Sequence, residues 1–292
     1  MLKECDKKFG VIDVGSNSVR LMLWQKGKTL YKKLSTTRLA QGMTSDGGIK
    51  QSQLNITAKA IIDFYNLAKK DGADIVYAFA TAAVRNAKNK GDLISLVKKG
   101  CGLDLEVISG QQEANLAYVG ALNGKTGGVI DIGGASTEIV FAKNGVKTYG
   151  KSVDIGAVKL TDMFNEDRER LREYLIQKIS EYGQVPSGDF LCIGGTATSL
   201  SATILELDVY DATKTHGHVI TLQTVMAWAD KLFRLSLEER HKLIGLDSKR
   251  AEIIASGCEI LSLIMQNKNI NKITVSEKDN LEGYIISKLN GH

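Results

Sequence analysis

The feature that most constrains the fold of this chain is a stretch that occurs twice. The sequence FGVIDVGSNSVRLML, residues 9–23, returns as GGVIDIGGASTEIVF, residues 127–141, with an aspartate at the same offset and a glycine two residues later. In each copy an apolar run leads into a turn of glycine and small hydroxyl residues and then into a second apolar run, which predicts a β-hairpin. The chain is therefore predicted to contain two related hairpins that face each other.

The turns of both hairpins have the composition of an anion-binding loop. Glycine permits positive φ, and consecutive backbone N–H groups in such a turn form a concavity that prefers anions. Asp13 and Asp131 would repel a bare phosphate, so a hard cation between the charges is expected, and the pair predicts Mg²⁺ together with phosphate. A single Asp-x-Gly hairpin is also a common turn. The second copy, and a third glycine turn in LCIGGTATSL, residues 191–200, favour the functional interpretation.

The rest of the chain alternates between strand and helix patterns, which predicts an α/β duplication with helices covering each sheet. Helical periodicity marks residues 53–70, 80–99, 111–122, 166–182, 222–235, 236–244 and 249–265, and strand patterns mark 30–34, 74–78, 105–108, 146–152, 190–193 and 272–275. We expect a first domain over residues 1–124 and a second over 125–280. A helix over residues 281–292 is expected to cross back and complete the first domain.

Composition limits the class of protein. Of the 292 residues, 43% are hydrophobic and 24% are charged, as in soluble globular proteins. No apolar run approaches the roughly 18 residues of a membrane span, and the start of the chain has no secretory pattern, so we expect a cytoplasmic protein without membrane contact. Cys5, Cys101, Cys192 and Cys258 form no metal or redox spacing, and the last two are expected to be apolar fillers. The net charge of +5 suits a polyanionic ligand, and no motif indicates sequence-specific nucleic-acid binding.

Seven motifs in order resemble those of one family. They read VIDVGSNSVRL, ATAAVR, ISGQQEA, VIDIGGASTEIV, IGGTATSL, THGHVITL and RAEIIASG, and they span nearly the whole chain. Together they resemble the exopolyphosphatase / guanosine pentaphosphate phosphohydrolase family, which belongs to the group of actin, sugar kinases and heat-shock chaperones. The resemblance, to the short form of the family, implies duplicated ribonuclease-H-like (actin-like ATPase) domains with a substrate cleft between them. It further implies polyphosphate or a phosphorylated guanosine nucleotide as substrate, and by analogy a homodimer.

The resemblance also implies roles for individual residues. Glu113, in ISGQQEA, matches the glutamate that activates water, although a glutamate in the first turn of a helix also interacts favourably with the helix dipole alone. Asp131 and Glu138 match metal-associated carboxylates, and Asp13 is expected to contribute from the other tip. The predicted phosphate-binding residues are Gly15, Ser16, Asn17, Ser18, Arg20, Arg85, Gly133, Gly134, Ala135, Ser136, Gly195 and Thr196. For Arg20, a position pointing to solvent is an open alternative.

Two further segments are a histidine pair and a C-terminal motif that departs from the family pattern. His216 and His218 flank a glycine without a nearby acidic partner, which is typical of hydrogen-bonding loop residues rather than of metal ligands. Near the C-terminus the family pattern Val-Ser-x-x-Gly-Leu-Arg-Glu-Gly is replaced by VSEKDNLEG, residues 275–283. Asp279 stands in the glycine position and Leu281 in the arginine position, so the contacts of this segment are expected to differ from those of the family.

The sequence is compatible with three functions. The first is a phosphohydrolase that releases terminal orthophosphate from polyphosphate or guanosine pentaphosphate, using water activated by a glutamate and assisted by Mg²⁺. The second is an ATP-dependent kinase or ATPase of the same fold, because Gly194, Gly195 and Thr196 occupy the position where the larger group holds adenosine. The third is a non-catalytic regulator that binds polyphosphate or nucleotides. Glu113 and the Ser16–Asn17–Ser18 tip favour the first.

Overall fold

The computed structural model describes residues 6–41, 47–165 and 167–290. Its strands are β1 (Lys8–Val14), β2 (Ser18–Gln25), β3 (Lys28–Thr36), β4 (Ile75–Ala80), β5 (Leu105–Val107), β6 (Gly127–Ile132), β7 (Thr137–Lys143), β8 (Val146–Val153), β9 (Phe190–Ile193), β10 (Val219–Thr221) and β11 (Lys272–Val275). Its α-helices are α1 (Gln51–Lys70), α2 (Ala82–Asn86), α3 (Lys90–Cys101), α4 (Gly110–Leu122), α5 (Ala157–Phe164), α6 (Arg168–Ile179), α7 (Gly194–Ile204), α8 (Ala212–Thr215), α9 (Leu222–Arg234), α10 (Leu237–His241), α11 (Ile254–Asn267) and α12 (Asn280–Asn290).

These elements form two compact units. The first comprises Met1–Leu116 and Asn280–His292, and the second comprises Ala117–Asp279. The last helix, α12, therefore belongs to the first unit. The boundary after Leu116 falls inside α4, whereas the sequence placed it after that helix, at residue 124.

The first unit is built on a sheet of order β3-β2-β1-β4-β5, in which β1 is antiparallel to β2 and parallel to β4. Helices cover both faces. On one face Gly10 leaves room for Ala68 of α1, since a Cβ at Gly10 would lie 2.9 Å from the Cβ of Ala68. On the other face Phe9 and Val11 pack in an apolar cluster with Leu281 of α12. Burial on both faces explains why β1 is apolar along nearly its whole length.

The second unit has a sheet of order β10-β11-β9-β6-β7-β8. Its core surrounds α11, whose residues 254–265 are all buried. The duplication is confirmed by the strand pairing. Both units contain an antiparallel meander, β1-β2-β3 and β6-β7-β8, and each meander has an irregularity at the same repeat position, between Leu23 and Trp24 in one and between Phe141 and Ala142 in the other.

Several local predictions need correction. The helix predicted over residues 80–99 is two helices, α2 and α3, because Ala87 has extended backbone angles. The helix predicted over residues 166–182 is α6 followed by a 3₁₀ turn at Ser180–Tyr182, and residue 166 lies outside the described residues. Its charges were interpreted as a solvated face, which is wrong for Arg168 and Arg172. Both bind the carboxylate of Glu259 in α11, a side chain fully buried from solvent.

Two expectations from composition concern the role of the cysteines and the presence of membrane spans. Cys192 and Cys258 are fully buried among apolar residues, and burial raises the pKa of both thiols, which confirms them as packing residues. Cys5 lies outside the described residues. Among the helices of the described part of the chain, none combines the length and the apolar character that crossing a membrane requires.

Candidate active site

The turn between β1 and β2 has the geometry of an anion-binding loop. The N–H of Gly15 donates to the carbonyl of Ser18 at 3.0 Å and closes the turn. The carbonyls of Ser16 and Asn17 accept hydrogen bonds of 2.8–3.1 Å from backbone N–H groups of residues 37–40. In a planar trans peptide the N–H points opposite to the preceding carbonyl. The N–H groups of Asn17 and Ser18 therefore point away from residues 37–40, as a loop that receives a phosphate requires.

Asp13 and Arg20 form an ion pair beside this turn. They lie directly opposite each other in the β1–β2 register. Both Nε, at 3.1 Å, and Nη2 of the guanidinium donate to Oδ2 of Asp13, which is 4% exposed. The structure thus joins the predicted metal carboxylate to a predicted phosphate clamp, and it does not show Arg20 turned towards solvent. The pair neutralises the charge that would repel a phosphate at this tip.

Arg85 and Glu113 form a second ion pair in the same unit. The Arg85 Nη1 donates to Glu113 Oε2 at 2.9 Å and to the carbonyl of Ile108 at 3.0 Å. The first turn of α4 is fixed by reciprocal bonds, in which the Gln112 N–H donates to the Ser109 hydroxyl and the Ser109 N–H donates to the Gln112 side chain. Glu113 is 6% exposed. A carboxylate that only interacts with the helix dipole needs neither burial nor an arginine, so this environment favours a functional role.

The first hairpin tip, Arg85 and Glu113 each follow one of the parallel strands β1, β4 and β5 of the first unit. The Thr81 N–H donates to the carbonyl of Val14 at 3.2 Å, and the Ile108 N–H donates to the carbonyl of Ala80 at 3.0 Å. The carboxyl ends of the three strands therefore lie side by side, and the first hairpin tip, α2 and α4 begin at that edge. In open α/β sheets this edge is where ligands bind.

The turn between β6 and β7 closes with the same hydrogen bond as the first tip, although the carbonyls that anchor it lie one repeat position earlier. The N–H of Gly133 donates to the carbonyl of Ser136 at 2.9 Å, and the carbonyls of Gly133 and Gly134 accept from N–H groups at the start of α5, also at 2.9 Å. A Cβ at Gly156 would overlap the tip, since it would lie 2.3 Å from the backbone nitrogen of Ala135. By the same peptide geometry, the N–H groups of Gly134 and Ala135 point away from α5.

Two acidic side chains face each other at this second tip. Asp131 and Glu138 are directly opposite in the β6–β7 register, at the positions that Asp13 and Arg20 occupy in the first hairpin. They are 7% and 1% exposed. The hydroxyls of Ser136, at 2.8 Å, and of Ser152 donate to Oε1 of Glu138. Like charges opposite each other on a sheet are destabilising, which a bound cation would relieve.

These residues fit a magnesium ion. Within residues 6–41, 47–165 and 167–290, no group of three or more histidine, cysteine, aspartate or glutamate side chains is arranged to hold a metal. Mg²⁺ is usually bound by only one or two carboxylates and completes its shell with water and substrate phosphates. Asp131 and Glu138 supply that number. The metal role of Asp13 stays a prediction, and its ion pair with Arg20 favours the second tip for the cation.

The third glycine turn lies beside Asp131, because β9 is parallel to β6 and Ile193 is the partner of Asp131. Gly194 has φ of +83°, and a Cβ there would lie 2.8 Å from Oδ1 of Asp131. At Gly195 a Cβ would lie 1.7 Å from Nη1 of Arg250, so the guanidinium rests on the backbone of this turn. Arg250 was missed by the sequence analysis, although it opens the RAEIIASG motif.

The structure also describes the surroundings of Thr196, of the two histidines and of Leu281. Thr196 faces α11, since a Cβ at Gly257 would lie 2.7 Å from its hydroxyl oxygen, and it is 6% exposed. Both histidines are hydrogen-bonding loop residues, as expected, although the partner of His218 lies in α7. Nδ1 of His216 accepts from the N–H of Glu277, and Nδ1 of His218 lies 2.8 Å from the hydroxyl of Ser201. Leu281, in the position of the family arginine, is fully buried in the apolar cluster of α12, an environment that suits leucine.

Comparisons with known proteins identify the family of this chain. The sequence model of the Ppx/GppA phosphatase family matches residues 23–292. Exopolyphosphatase 2 of Mycobacterium tuberculosis (strain ATCC 25618 / H37Rv) is 28% identical over 96% of this chain and 98% of its own length. A bifunctional 3-dehydroquinate synthase/phosphatase of Fusobacterium nucleatum subsp. nucleatum is also 28% identical, over 94% of this chain and 46% of its own length.

Solved structures of similar proteins have the same fold as this chain. The crystal structure of the Aquifex aeolicus member of the Ppx/GppA family is 30% identical, with a TM-score of 0.81 over 98% of both chains. An exopolyphosphatase from Cytophaga hutchinsonii, at 23% identity, has a TM-score of 0.86 over 98% of both chains and shows the fold alone. The two sheets and their order confirm the predicted duplicated α/β, actin-like ATPase fold. The chain belongs to the Ppx/GppA phosphatase family.

Proposed function

We propose that this protein is an exopolyphosphatase that releases terminal orthophosphate from inorganic polyphosphate. The observation that carries the proposal is the environment of Glu113, a buried carboxylate held at the start of α4 by Arg85. Membership of the phosphatase family and the exopolyphosphatases among the relatives support it. A kinase or ATPase function is not favoured by these relatives.

Glu113 is the general base in this proposal. Its carboxylate accepts one hydrogen bond from Arg85, and the capping bonds of Ser109 and Gln112 fix the turn that carries it. A carboxylate held in this way orients a water molecule and accepts its proton as the water attacks the terminal phosphorus. Arg85 then acts mainly on Glu113, by keeping its position. The phosphate-clamp role predicted for Arg85 is secondary.

Phosphate oxygens are received by the backbone N–H groups of the two tips and by arginines. At the first tip the N–H groups of Asn17 and Ser18 are available, and Arg20 offers a guanidinium that already neutralises Asp13. At the second tip Asp131 and Glu138 would hold Mg²⁺, which when bound neutralises charge that develops on the phosphoryl oxygens. Arg250, resting on Gly195, adds a further cation in the second unit.

The finer points of substrate and assembly are part of the same proposal. Guanosine pentaphosphate presents a terminal phosphoryl group in a chain of anions, so the same residues would serve it. We propose it as a second substrate. A homodimer stays a prediction from the family resemblance.

The experiment is phosphate release from short and long polyphosphate, guanosine pentaphosphate and ATP, each with and without Mg²⁺. Glu113→Gln is compared with Glu238→Gln, which makes the same change at a highly exposed site. We expect Glu113→Gln to lower kcat by about 10²–10⁴-fold with substrate binding retained, because that is the typical contribution of a general base. Glu238→Gln should be unchanged.

Three outcomes would contradict the proposal. Turnover of Glu113→Gln near that of the unmodified protein would remove Glu113 from catalysis. Phosphate release from ATP alone would favour the kinase or ATPase function. Binding of polyphosphate without any release would favour a regulator.

A further inference from the structure

The helix that carries Glu113 touches α12 through its backbone. A Cβ added at Gly283 would lie 2.0 Å from the carbonyl oxygen of Leu116, 2.7 Å from its carbonyl carbon and 2.9 Å from its Cα. Such distances mean that α12 and α4 approach each other closely at this point, and that glycine is the residue that permits it. Gly283 does not have positive φ, so an alanine there is sterically excluded by α4 and not by its own backbone angles.

Helix α12 is held to the sheet of the first unit by several contacts that do not involve α4. The ring of Tyr284 stacks on Phe79 with centroids 4.7 Å apart, and its hydroxyl donates to Glu106 at 2.6 Å. Glu282 accepts hydrogen bonds from the Thr29 hydroxyl at 2.9 Å and from the Lys32 ammonium at 2.8 Å. With α12 anchored in this way, a change at the contact with Leu116 is expected to move α4.

The contact beside Gly283 is not reinforced by dense packing all along the two helices. A cavity of about 140 Å³ lies next to it, lined in part by Gln112 and Asn115 of α4 and by Tyr284 and Ser287 of α12. Side chains do not fill the space between α4 and α12 at this cavity. The contact between the backbones of Leu116 and Gly283 therefore sets the distance between the two helices.

Leu116 is three residues after Glu113, less than one turn of the same helix. A Cβ at Gly283, at 2.0 Å from the Leu116 oxygen, would have to retreat by about 1.4 Å to reach an ordinary contact distance of 3.4 Å. A helix transmits such a displacement to its neighbouring turn, and a misplacement of about 1 Å in a reacting group can cost on the order of 10²-fold in rate. The 2.9 Å bond between Arg85 and Glu113 would be disturbed at the same time.

We propose that Gly283 is a positioning residue for catalysis, which sets the place of Glu113 by letting α12 rest directly on the backbone of α4. The inference depends on the proposed role of Glu113. It gives the last helix a function in the reaction without contact between that helix and the substrate.

The test is the steady-state kinetics of Gly283→Ala with polyphosphate. We expect kcat to fall about 10- to 100-fold while KM changes little, because the base is misplaced but the phosphate-binding loops are not. The matched control is Gly91→Ala in α3, where a Cβ would meet nothing within 4 Å. Both changes favour a helix by propensity, so only the contact differs.

The double variant Glu113→Gln/Gly283→Ala separates positioning from general disruption. If Gly283 acts through Glu113, adding Gly283→Ala to Glu113→Gln lowers the residual rate no further. An equal additional loss in that background would overturn the inference, as would an unchanged kcat for Gly283→Ala beside an inactive Glu113→Gln. Full activity of Glu113→Gln would overturn the proposed function itself, and the inference with it.

A second variant tests the inference if Gly283→Ala does not fold. Tyr284→Phe keeps the ring on Phe79 and removes only the hydroxyl that anchors α12 to Glu106. We expect a several-fold fall in kcat at constant KM, and an unchanged kcat would count against the inference.

Discussion

The two hairpin tips close with the same backbone hydrogen bond but differ in charge. In the first, Asp13 faces Arg20, and the pair carries no net charge. In the second, Asp131 faces Glu138, and two carboxylates lie opposite each other in a buried site. Because the two pairs occupy equivalent register positions, a single exchange of arginine for glutamate distinguishes them.

The difference indicates how one residue can give two copies of a hairpin different ligand preferences. The turn itself provides N–H groups that suit an anion in both copies. The residue across from the aspartate then decides the partner: arginine compensates the carboxylate and leaves the tip suited to phosphate, whereas glutamate doubles the negative charge and makes the tip suited to a cation. We expect the Mg²⁺ dependence of the enzyme to be located in the second hairpin alone.

Among the variants at the two tips, Glu138→Gln should have the largest effect. The change keeps the shape of the side chain but halves the charge of the acidic pair. The apparent affinity for Mg²⁺ should fall by about 100-fold or more, because a lost ligand should cost at least as much as the roughly 10- to 100-fold of a lost outer-shell group. The measurement is phosphate release across a Mg²⁺ titration. Excess Mg²⁺ should restore much of the rate, and an unchanged titration would remove Glu138 from the metal site.

Arg20→Met is expected to have a smaller effect, and this effect should be on kcat/KM and not on the affinity for Mg²⁺. Loss of charged hydrogen bonds worth about 1.5–3 kcal/mol each corresponds to a fall of about 10- to 100-fold in kcat/KM. The first tip is proposed to bind phosphate and not the cation, so the Mg²⁺ titration midpoint should stay in place. Arg20→Lys, which keeps the charge without the fork, is the control and should lie between. A shifted midpoint would mean that both tips hold the metal.

The smallest effect is expected for Ser152→Ala. Ser152 on β8 donates to Glu138, whereas the corresponding strand of the first unit, β3, places Leu34 opposite Arg20. Removing this hydroxyl should weaken Mg²⁺ binding by about 10-fold, the lower end of the effect of an outer-shell group, since the carboxylate is less firmly oriented. Ser35→Ala on β3 is the matched control. Equal effects of the two variants would show that the serine acts only on folding.

Much of the fold was predictable because its signals are local. Alternation of apolar runs, glycine turns and helical periodicity located the strands and most helices, and β11 was predicted with the observed bounds. The errors have physical causes. Ala87 ends α2 by its extended backbone, and Arg168 and Arg172 have an ordinary solvated-helix pattern but bind Glu259, which is 91 and 87 residues further along the chain.

The candidate site was predictable in its members and not in its pairings. The motifs named Asp13, Arg20, Arg85 and Glu113 as separate metal, clamp and base residues, and the structure joins them as two ion pairs. Arg250 was not named, because nothing in RAEIIASG shows that its guanidinium rests on Gly195.

The sequence by itself determined that this chain folds as two related α/β units and that each carries an acidic glycine turn, because periodicity and turn chemistry act over a few neighbouring residues. Only the tertiary structure decided which charges face each other and that Gly283 supports the helix of Glu113. Those relations depend on strand register and helix packing, which bring together residues that are distant in the chain.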